Sequence, residues 1–422
     1  MQEKKLLVLG GSSISKEIVI AAKSCGVRTH VTDWYDYSNS PAKQIADEWS
    51  QVDTSNMKAM SKLIKDYNID GILTGFTDSV LPYYAKLCRL NNLPSYGTEA
   101  QFEILTDKSK YKSYCEQYDI PITEELSIEK FEKNELGKED YPLLIKPVDN
   151  SGARGIYISE NEQELISNVK KAKSYSKSNS VLIEKYYRGD ELSAFIFIKN
   201  GEVKLLNVAD RYVQHVNEDG IRLPVGYVFP SKYYKKYMEE VFPKVKNFLE
   251  GLDIANGIVF IQSIVDNDKI RLYDLGFRLT GSMEYKLFNK QFAFNPLEEL
   301  ITFSLNGRGT EIDIESKLNS PVYPYSANIT YLSATGEIDK YVGIEELKNL
   351  NNVVDVTTNY HDKSIIPEEA KGTLKQICAR VFIVSKTQKE LAETVLNCNN
   401  IFDVIDKEGN SKLLGKFQIK WE

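Results

Sequence analysis

Residues 141–155 read Tyr141-Pro142-Leu143-Leu144-Ile145-Lys146-Pro147-Val148-Asp149-Asn150-Ser151-Gly152-Ala153-Arg154-Gly155. The apolar run closing on Lys146-Pro147 predicts a short buried strand, and the small residues after it predict a loop. A lysine at a strand end facing a glycine loop suits phosphate, because an ammonium is a compact charge. Small residues let the backbone approach and donate its N–H groups to the same anion. Taken singly, Lys146 also reads as a surface lysine and the loop as a plain β-turn.

Downstream, 156–159 predicts a strand, 162–173 a helix, and 173–179 an exposed Ser/Lys connection. Val181-Leu182-Ile183-Glu184-Lys185-Tyr186-Tyr187 predicts a buried strand whose polar end can meet a purine edge, with Glu191 placed to accept from hydroxyls. Strands at 191–198 and 203–208 flank Asn200-Gly201, a hairpin signal, and a long helix is expected over 232–249. Strands at 258–265 and 270–275 flank Asp266-Asn267-Asp268. Gln262 and Asp274 then fall on one face of paired strands. Asp274 is the magnesium candidate, since Mg²⁺ prefers hard oxygens shared with phosphates. Arg278 is suited to a bidentate grip on phosphoryl or carboxylate oxygens. By themselves, Asp274 and Arg278 also read as a surface ion pair.

Upstream, residues 1–105 alternate strand and helix: strands at 5–9, 27–31, 71–74 and 93–96, helices at 14–23, 57–67 and 79–90. That order predicts a parallel sheet with right-handed crossovers. Gly10-Gly11 suggests a Rossmann-like phosphate turn or only a tight turn; Ser12 and Ser13 replace the rest of G-x-G-x-x-G. A further helix is expected over 111–118, and 296–305 closes the central region. From Pro321 the chain reads as a separate strand-rich segment, with strands at 326–332, 353–358 and 379–384 and a helix at 389–397.

Composition narrows the classes. At 422 residues, two or three domains are expected. A net charge of −7 with mixed signs gives no nucleic-acid footprint. No apolar run approaches the ~20 residues of a membrane helix. The first apolar run is shorter than a signal-peptide core and reads as a strand. Five cysteines without a CxxC pair read as free thiols in a reducing cytoplasm, and three dispersed histidines offer no histidine metal site.

These features in this order resemble the ATP-grasp superfamily, over residues 4–307. Within it the chain is similar to the branch of biotin carboxylase, the carbamoyl phosphate synthase large subunit, glycinamide ribonucleotide synthetases and L-amino acid ligases. The resemblance implies an α/β chain in three parts: a Rossmann-like domain (1–105), an ATP-grasp domain (106–310) and a smaller α+β lid-like domain (320–422). The ATP-grasp part divides into a nucleotide-binding subdomain, about 120–190, and a central subdomain, 191–310. It implies Lys108 and Lys146 as nucleotide lysines, and Ser151, Gly152 and Gly155 in the flap over the phosphates. Glu184 would accept from the adenine amino group, the backbone of Lys185 and Tyr187 would hold the ring edge, and Glu191 would take the ribose hydroxyls. Gln262 and Asp274 fall on the metal-carboxylate positions, and Arg278 on the phosphate arginine. Two departures stand out: Gln262 where the family has glutamate, and Gly276 where it has asparagine.

The resemblance implies an ADP-forming carboxylate–amine ligase with ATP and Mg²⁺, small-molecule carboxylate and amine substrates, and a homodimer. Amino acids, bicarbonate and nucleotide- or sugar-linked carboxylates are the candidate substrates, with Ser12, Ser13, Asp33 and Thr77 forming a wall of the acceptor pocket. Arg211 reads equally as a ligand of the acyl phosphate and as a structural arginine; His215 reads as a loop residue. Two other classes remain open from the residues: a nucleotide-binding protein without catalysis, motivated by Gln262 and Gly276, and an NAD-dependent enzyme using Gly10-Gly11.

Overall fold

A computed structural model of the chain describes residues 3–133, 135–148, 155–176, 178–215 and 222–419. The N-terminal sheet is built from β1 (Lys5–Leu9), β2 (Arg28–Asp33), β3 (Glu48–Gln51) and β4 (Gly71–Leu73), in the order β3-β2-β1-β4 and wholly parallel. The strand order reverses between β1 and β4, so ligands are expected at their carboxyl ends. Gly10-Gly11 and Ser12 follow β1 there. The strand expected at 93–96 does not form. Tyr96 instead turns into a cluster with Tyr84, Phe102 and Phe277.

A small antiparallel sheet follows, from β5 (Glu125–Leu126), β6 (Leu143–Pro147), β7 (Tyr157–Ser159) and β8 (Val181–Lys185), ordered β5-β8-β6-β7. The helix Glu162–Ser174 covers it, and Leu143, Ile145, Leu165, Val169, Val181 and Ile183 form its own core.

The third sheet has eight antiparallel strands. It contains β9 (Asp190–Lys199), β10 (Glu202–His215), β11 (Arg222–Phe229), β12 (Asn256–Asp266), β13 (Lys269–Gly276) and β14 (Tyr325–Leu332). Strands Ile377–Ser385 and Val353–Thr358 complete the order β13-β12-β9-β10-β11-β14 and outward. Both expected hairpins form. Asn200-Gly201 and Asn267-Asp268 supply the positive φ pairs (52° and 81°; 46° and 63°) that a two-residue turn needs. The segment after Pro321 is therefore not a separate sheet: its strands extend the central one, although a distinct core around Ile329, Leu347, Val381 and Phe402 packs behind it.

Lys286 ties the parts together. Its ammonium lies 2.6 Å from Glu17 of the N-terminal part and 2.6 Å from Asp355 of the C-terminal part. All five cysteines are free thiols. Among the described residues no helix is long and apolar enough to cross a membrane.

Candidate active site

One cavity of about 1530 Å³ opens where the three sheets meet. The small sheet supplies Lys146 and residues 184–187, and the helix Lys108–Gln117 supplies Lys108 and Tyr111. The eight-stranded sheet supplies Glu191, Arg211, Tyr227, Gln262, Asp274 and Arg380 from a single face, because side chains two residues apart share a face. Ser12, Ser13, Asp78 and Ser79 come from beyond β1 and β4.

The nucleotide side is organised around Glu184, which is 2% exposed. Lys146 Nζ lies 2.6 Å and Lys112 Nζ 2.5 Å from its Oε1. Lys112 also reaches Glu125 at 3.2 Å. Burial alone would raise the Glu184 carboxyl, but Lys146 and Lys112 hold it below the usual carboxylate range. Burial lowers Lys146 despite Glu184, and the charges of Lys108 and Lys112 push the same way. Glu184 is thus already engaged by two ammoniums, a different setting from the open adenine acceptor expected of it. The Lys185 N–H donates to the Glu124 carbonyl, so only its carbonyl can turn to a ring edge. Tyr187 stacks on Arg271 at 5.1 Å.

Gly155 sits at φ +77°, where a Cβ would come 2.8 Å from Tyr175 Cβ and 2.9 Å from Pro147 Cγ. Glycine is required there on both counts. Ser151 and Gly152 lie outside the described residues.

Glu191 is also not an open acceptor. Arg211 and the Tyr273 hydroxyl (2.9 Å) donate to its Oε2, and Arg222 lies 3.0 Å from Oε1. Three donors thus occupy Glu191, two on Oε2 and one on Oε1, a more crowded setting than that of the ribose acceptor expected of it. Arg211 pairs with Glu191 in register across β9–β10 and points into the cavity. Burial works against its charge, yet Tyr273 and Glu191 raise its pKa further. His215 is exposed at the end of β10.

Gln262 and Asp274 face each other in register on β12 and β13, as expected. Next to them the departure at Gly276 has a physical counterpart: a Cβ there would lie 2.3 Å from Phe260 Cε1. The Phe260 ring fills that space, and the Arg278 guanidinium lies 5.0 Å from its centroid. Arg278 also grips Asp78 bidentately, Nε to Oδ1 at 2.6 Å and Nη2 to Oδ2 at 2.7 Å, while Nη1 donates to the Leu279 carbonyl at 2.9 Å. Burial opposes its charge, and Asp78 raises its pKa. Two hard oxygen donors fit one Mg²⁺ shared with phosphates. Among the described residues no cluster of three or more His, Cys, Asp or Glu offers an all-protein site.

Ser12 and Ser13 do line the cavity, whereas Asp33 and Thr77 are not among its lining residues. Asp33 closes the glycine turn instead. It accepts from the Gly11 N–H (2.8 Å) and the Ser40 hydroxyl (2.9 Å), and pairs with buried Lys43 at 2.6 Å. A Cβ on Gly11 would meet Ser40 Oγ at 1.7 Å. The Gly11 N–H is therefore already engaged and is not free to donate to a phosphate.

Sequence reading missed Lys112, Asp78 and Arg380. Lys112 had a usable signal: it stands four residues after Lys108 on one helix face. Asp78 and Arg380 had none, since each meets its site through contacts far apart in sequence.

A family model described as an ATP-grasp domain matches residues 139–283. A formate-dependent phosphoribosylglycinamide formyltransferase of Sulfurisphaera tokodaii is 24% identical over 375 residues, 83% of this chain and 86% of that protein. A carbamoyl phosphate synthase large chain of Clostridium botulinum is 22% identical over 305 residues, 67% of this chain and 28% of that one. Against some relatives, then, the chain spans only part of their length; for a Prochlorococcus marinus formyltransferase the share is 56%. Among solved structures, the L-amino acid ligase from Bacillus licheniformis has a TM-score of 0.77 at 18% identity, covering 96% of this chain and 100% of that one. The biotin carboxylase domain of Hydrogenobacter thermophilus 2-oxoglutarate carboxylase, solved as a dimer with MgADP, ADP and bicarbonate, has a TM-score of 0.75 at 17% identity, covering 95% and 90%. The small sheet, the hairpin and the cavity between them are therefore the parts of an ATP-grasp domain, and the chain has its relatives among the ATP-grasp proteins.

Proposed function

We propose that the chain is an ATP-dependent, ADP-forming ligase that activates a carboxylate and passes the acyl group to an amine. One observation carries the reading: Lys108, Lys146, residues 184–187, Gln262, Asp274 and Arg278 all line one cavity. In the first step a carboxylate oxygen attacks the γ-phosphorus of ATP and the bond to the β,γ-bridging oxygen breaks, giving an acyl phosphate and ADP. In the second step an amine attacks the acyl carbon, the C–O bond to phosphate breaks, and the nitrogen loses a proton.

No side-chain nucleophile is needed, so the protein's part is positioning and charge neutralisation. Lys146 and Lys108 balance the phosphate charge on one side. Arg278, fixed by Asp78 and Phe260, presents its remaining N–H groups from the other. Asp274 and Gln262 would hold a Mg²⁺ ion, which when bound neutralises phosphate oxygens. The relatives' names and the dimeric carboxylase domain support small-molecule substrates and a homodimer for this chain as well.

The test is ADP and phosphate release from Mg-ATP with pooled carboxylates and amines, in the wild type and in Lys146→Ala. Loss of turnover with retained fold is expected, and full activity in that variant overturns the scheme. The packing of Phe260 over Gly276 favours a second reading, nucleotide binding without turnover. Tight ADP binding with no phosphate release from any pool selects that reading.

A further inference from the structure

One buried cation on the cavity wall has no ion-pair partner among the described residues. Arg211 and Arg222 share Glu191, and Arg278 grips Asp78. Arg380, 7% exposed and lining the same cavity, makes no ion pair among the described residues. Its hydrogen bond goes to the Thr330 hydroxyl, directly across the strand pair. On its other side it registers with Thr357, whose Oγ1 is shielded from solvent and has no hydrogen-bond partner among the described residues.

The groups facing Arg380 do not satisfy it. Burial lowers its pKa, Tyr227 and Glu284 favour its charge, and Arg211 opposes it. Glu284 is itself buried, accepts from the Thr280 hydroxyl and makes no ion pair with Arg380 among the described residues. A guanidinium with no ion pair among the described residues and an orphan hydroxyl in one buried wall are both costly unless a ligand completes them. Tyr360, Leu374 and Ile377 line the cavity too, adding apolar surface to the C-terminal wall.

We propose that Arg380 and Thr357 bind an anionic oxyacid group, a carboxylate or a phosphate, of the substrate in the acceptor half of the cavity. What that ligand then undergoes rests on the ligase reading; whether it binds does not. Guanidinium meets either oxyanion through two parallel N–H donors, and the hydroxyl supplies a third.

The test is a thermal shift of the whole chain at matched ionic strength, with acetate, inorganic phosphate or chloride as probe and ADP as a separate arm. Wild type, Arg380→Met and Arg380→Lys are compared. The wild type is expected to gain from one oxyanion over chloride, with its apparent affinity reduced about tenfold or more in Arg380→Met. Arg380→Lys should fall between, because lysine keeps the charge and loses the fork. Acetate acting alone selects a carboxylate, and phosphate acting alone a phosphate ester. Equal oxyanion response in wild type and Arg380→Met, or none in the wild type, overturns the proposal. Undiminished stabilisation by ADP shows that the variant is folded. If Arg380→Met does not melt cooperatively, Arg380→Lys decides, and a response equal to wild type overturns. Should ADP stabilise none of them, the nucleotide reading fails while the oxyanion arm still judges Arg380.

Discussion

Glu184→Gln tests whether the nucleotide side is held by charge or by packing. Glu184 is 2% exposed and balances two ammoniums, at 2.6 Å and 2.5 Å. The amide leaves Lys146 without a counter-charge and Lys112 with Glu125 alone, each lysine side chain being only 6% exposed. Removing one member of a buried ion network costs about 3–5 kcal/mol. Lys112→Met differs in kind, because the Glu184–Lys146 pair survives and Glu125, the other carboxylate Lys112 meets, is solvent-accessible at 41%; about 1 kcal/mol or less is expected. The sheet has its own small core, so the loss should appear locally. Amide hydrogen exchange over Leu143–Pro147 and Val181–Lys185 reads it, with Lys5–Leu9 as the internal reference. Glu184→Gln should accelerate exchange there by about two to four powers of ten, and Lys112→Met by about tenfold or less. The pH dependence has a fixed sign. The folded Glu184 carboxyl lies below its ordinary value of 4.5, so its stabilisation is present above 4.5 and lost as pH falls through the folded value. Wild-type protection should fall in acid, and Glu184→Gln should lack that fall. Unchanged exchange in Glu184→Gln, or equal damage from Lys112→Met, refutes the charge argument.

Asp78→Asn should free the Arg278 guanidinium, lowering kcat by about 10- to 100-fold while KM for ATP changes about twofold or less; steady-state kinetics separates the two. Burial raises the Glu284 carboxyl above its ordinary value, so its stabilising contribution is present below 4.5 and lost as pH rises through the folded value. Glu284→Gln should therefore raise Tm at neutral pH and flatten the Tm–pH profile on the alkaline side of 4.5. Gly276→Ala drives a methyl to 2.3 Å from Phe260 Cε1 and should cost about 1–3 kcal/mol, measured as a Tm loss that Phe260→Leu partly reverses.

Where burial was local, the sequence spoke clearly. Lys5–Leu9, Val181–Lys185 and Val353–Thr358 are short β-rich runs between polar ends, and each forms over the expected residues. β11 is not among the expected strands, and Pro224 and Gly226 interrupt its β pattern. In the sheet, β14 pairs only with Gly226–Phe229, so the missing N–H of Pro224 lies beyond that ladder. Gly226 is bare because the Phe417 ring lies 2.8 Å from where its Cβ would stand. The site divides in the same way. Lys146, Gln262, Asp274 and Arg278 were legible because strand ends and a hairpin place them. The partners that set their charge were not: Glu184 meets Lys112 across 72 residues, and Arg278 meets Asp78 across 200.

The departure at Gly276 goes with a local packing change. With Gly276 in place of a side-chain donor, Phe260 packs flat against β13 and offers a ring face to Arg278. Ring and Asp78 together fix the guanidinium, which needs no further protein acceptor. The space that a second ion's ligand would take is apolar, and Gln262 withdraws a further negative charge from the same end. A site with fewer carboxylates needs fewer bound cations before it can accept polyphosphate. Under the proposed reading the positive charge would come instead from fixed groups that line the cavity, Lys108 and Lys146 on one side and Arg278 on the other, with Asp274 and Gln262 left to share a single ion with the nucleotide. Neutralisation that resides in side chains cannot leave with the product, so nucleotide affinity should persist when Mg²⁺ is removed. ADP binding in EDTA that falls about tenfold or less fits this arrangement; a complete loss places the charge balance back on the metal.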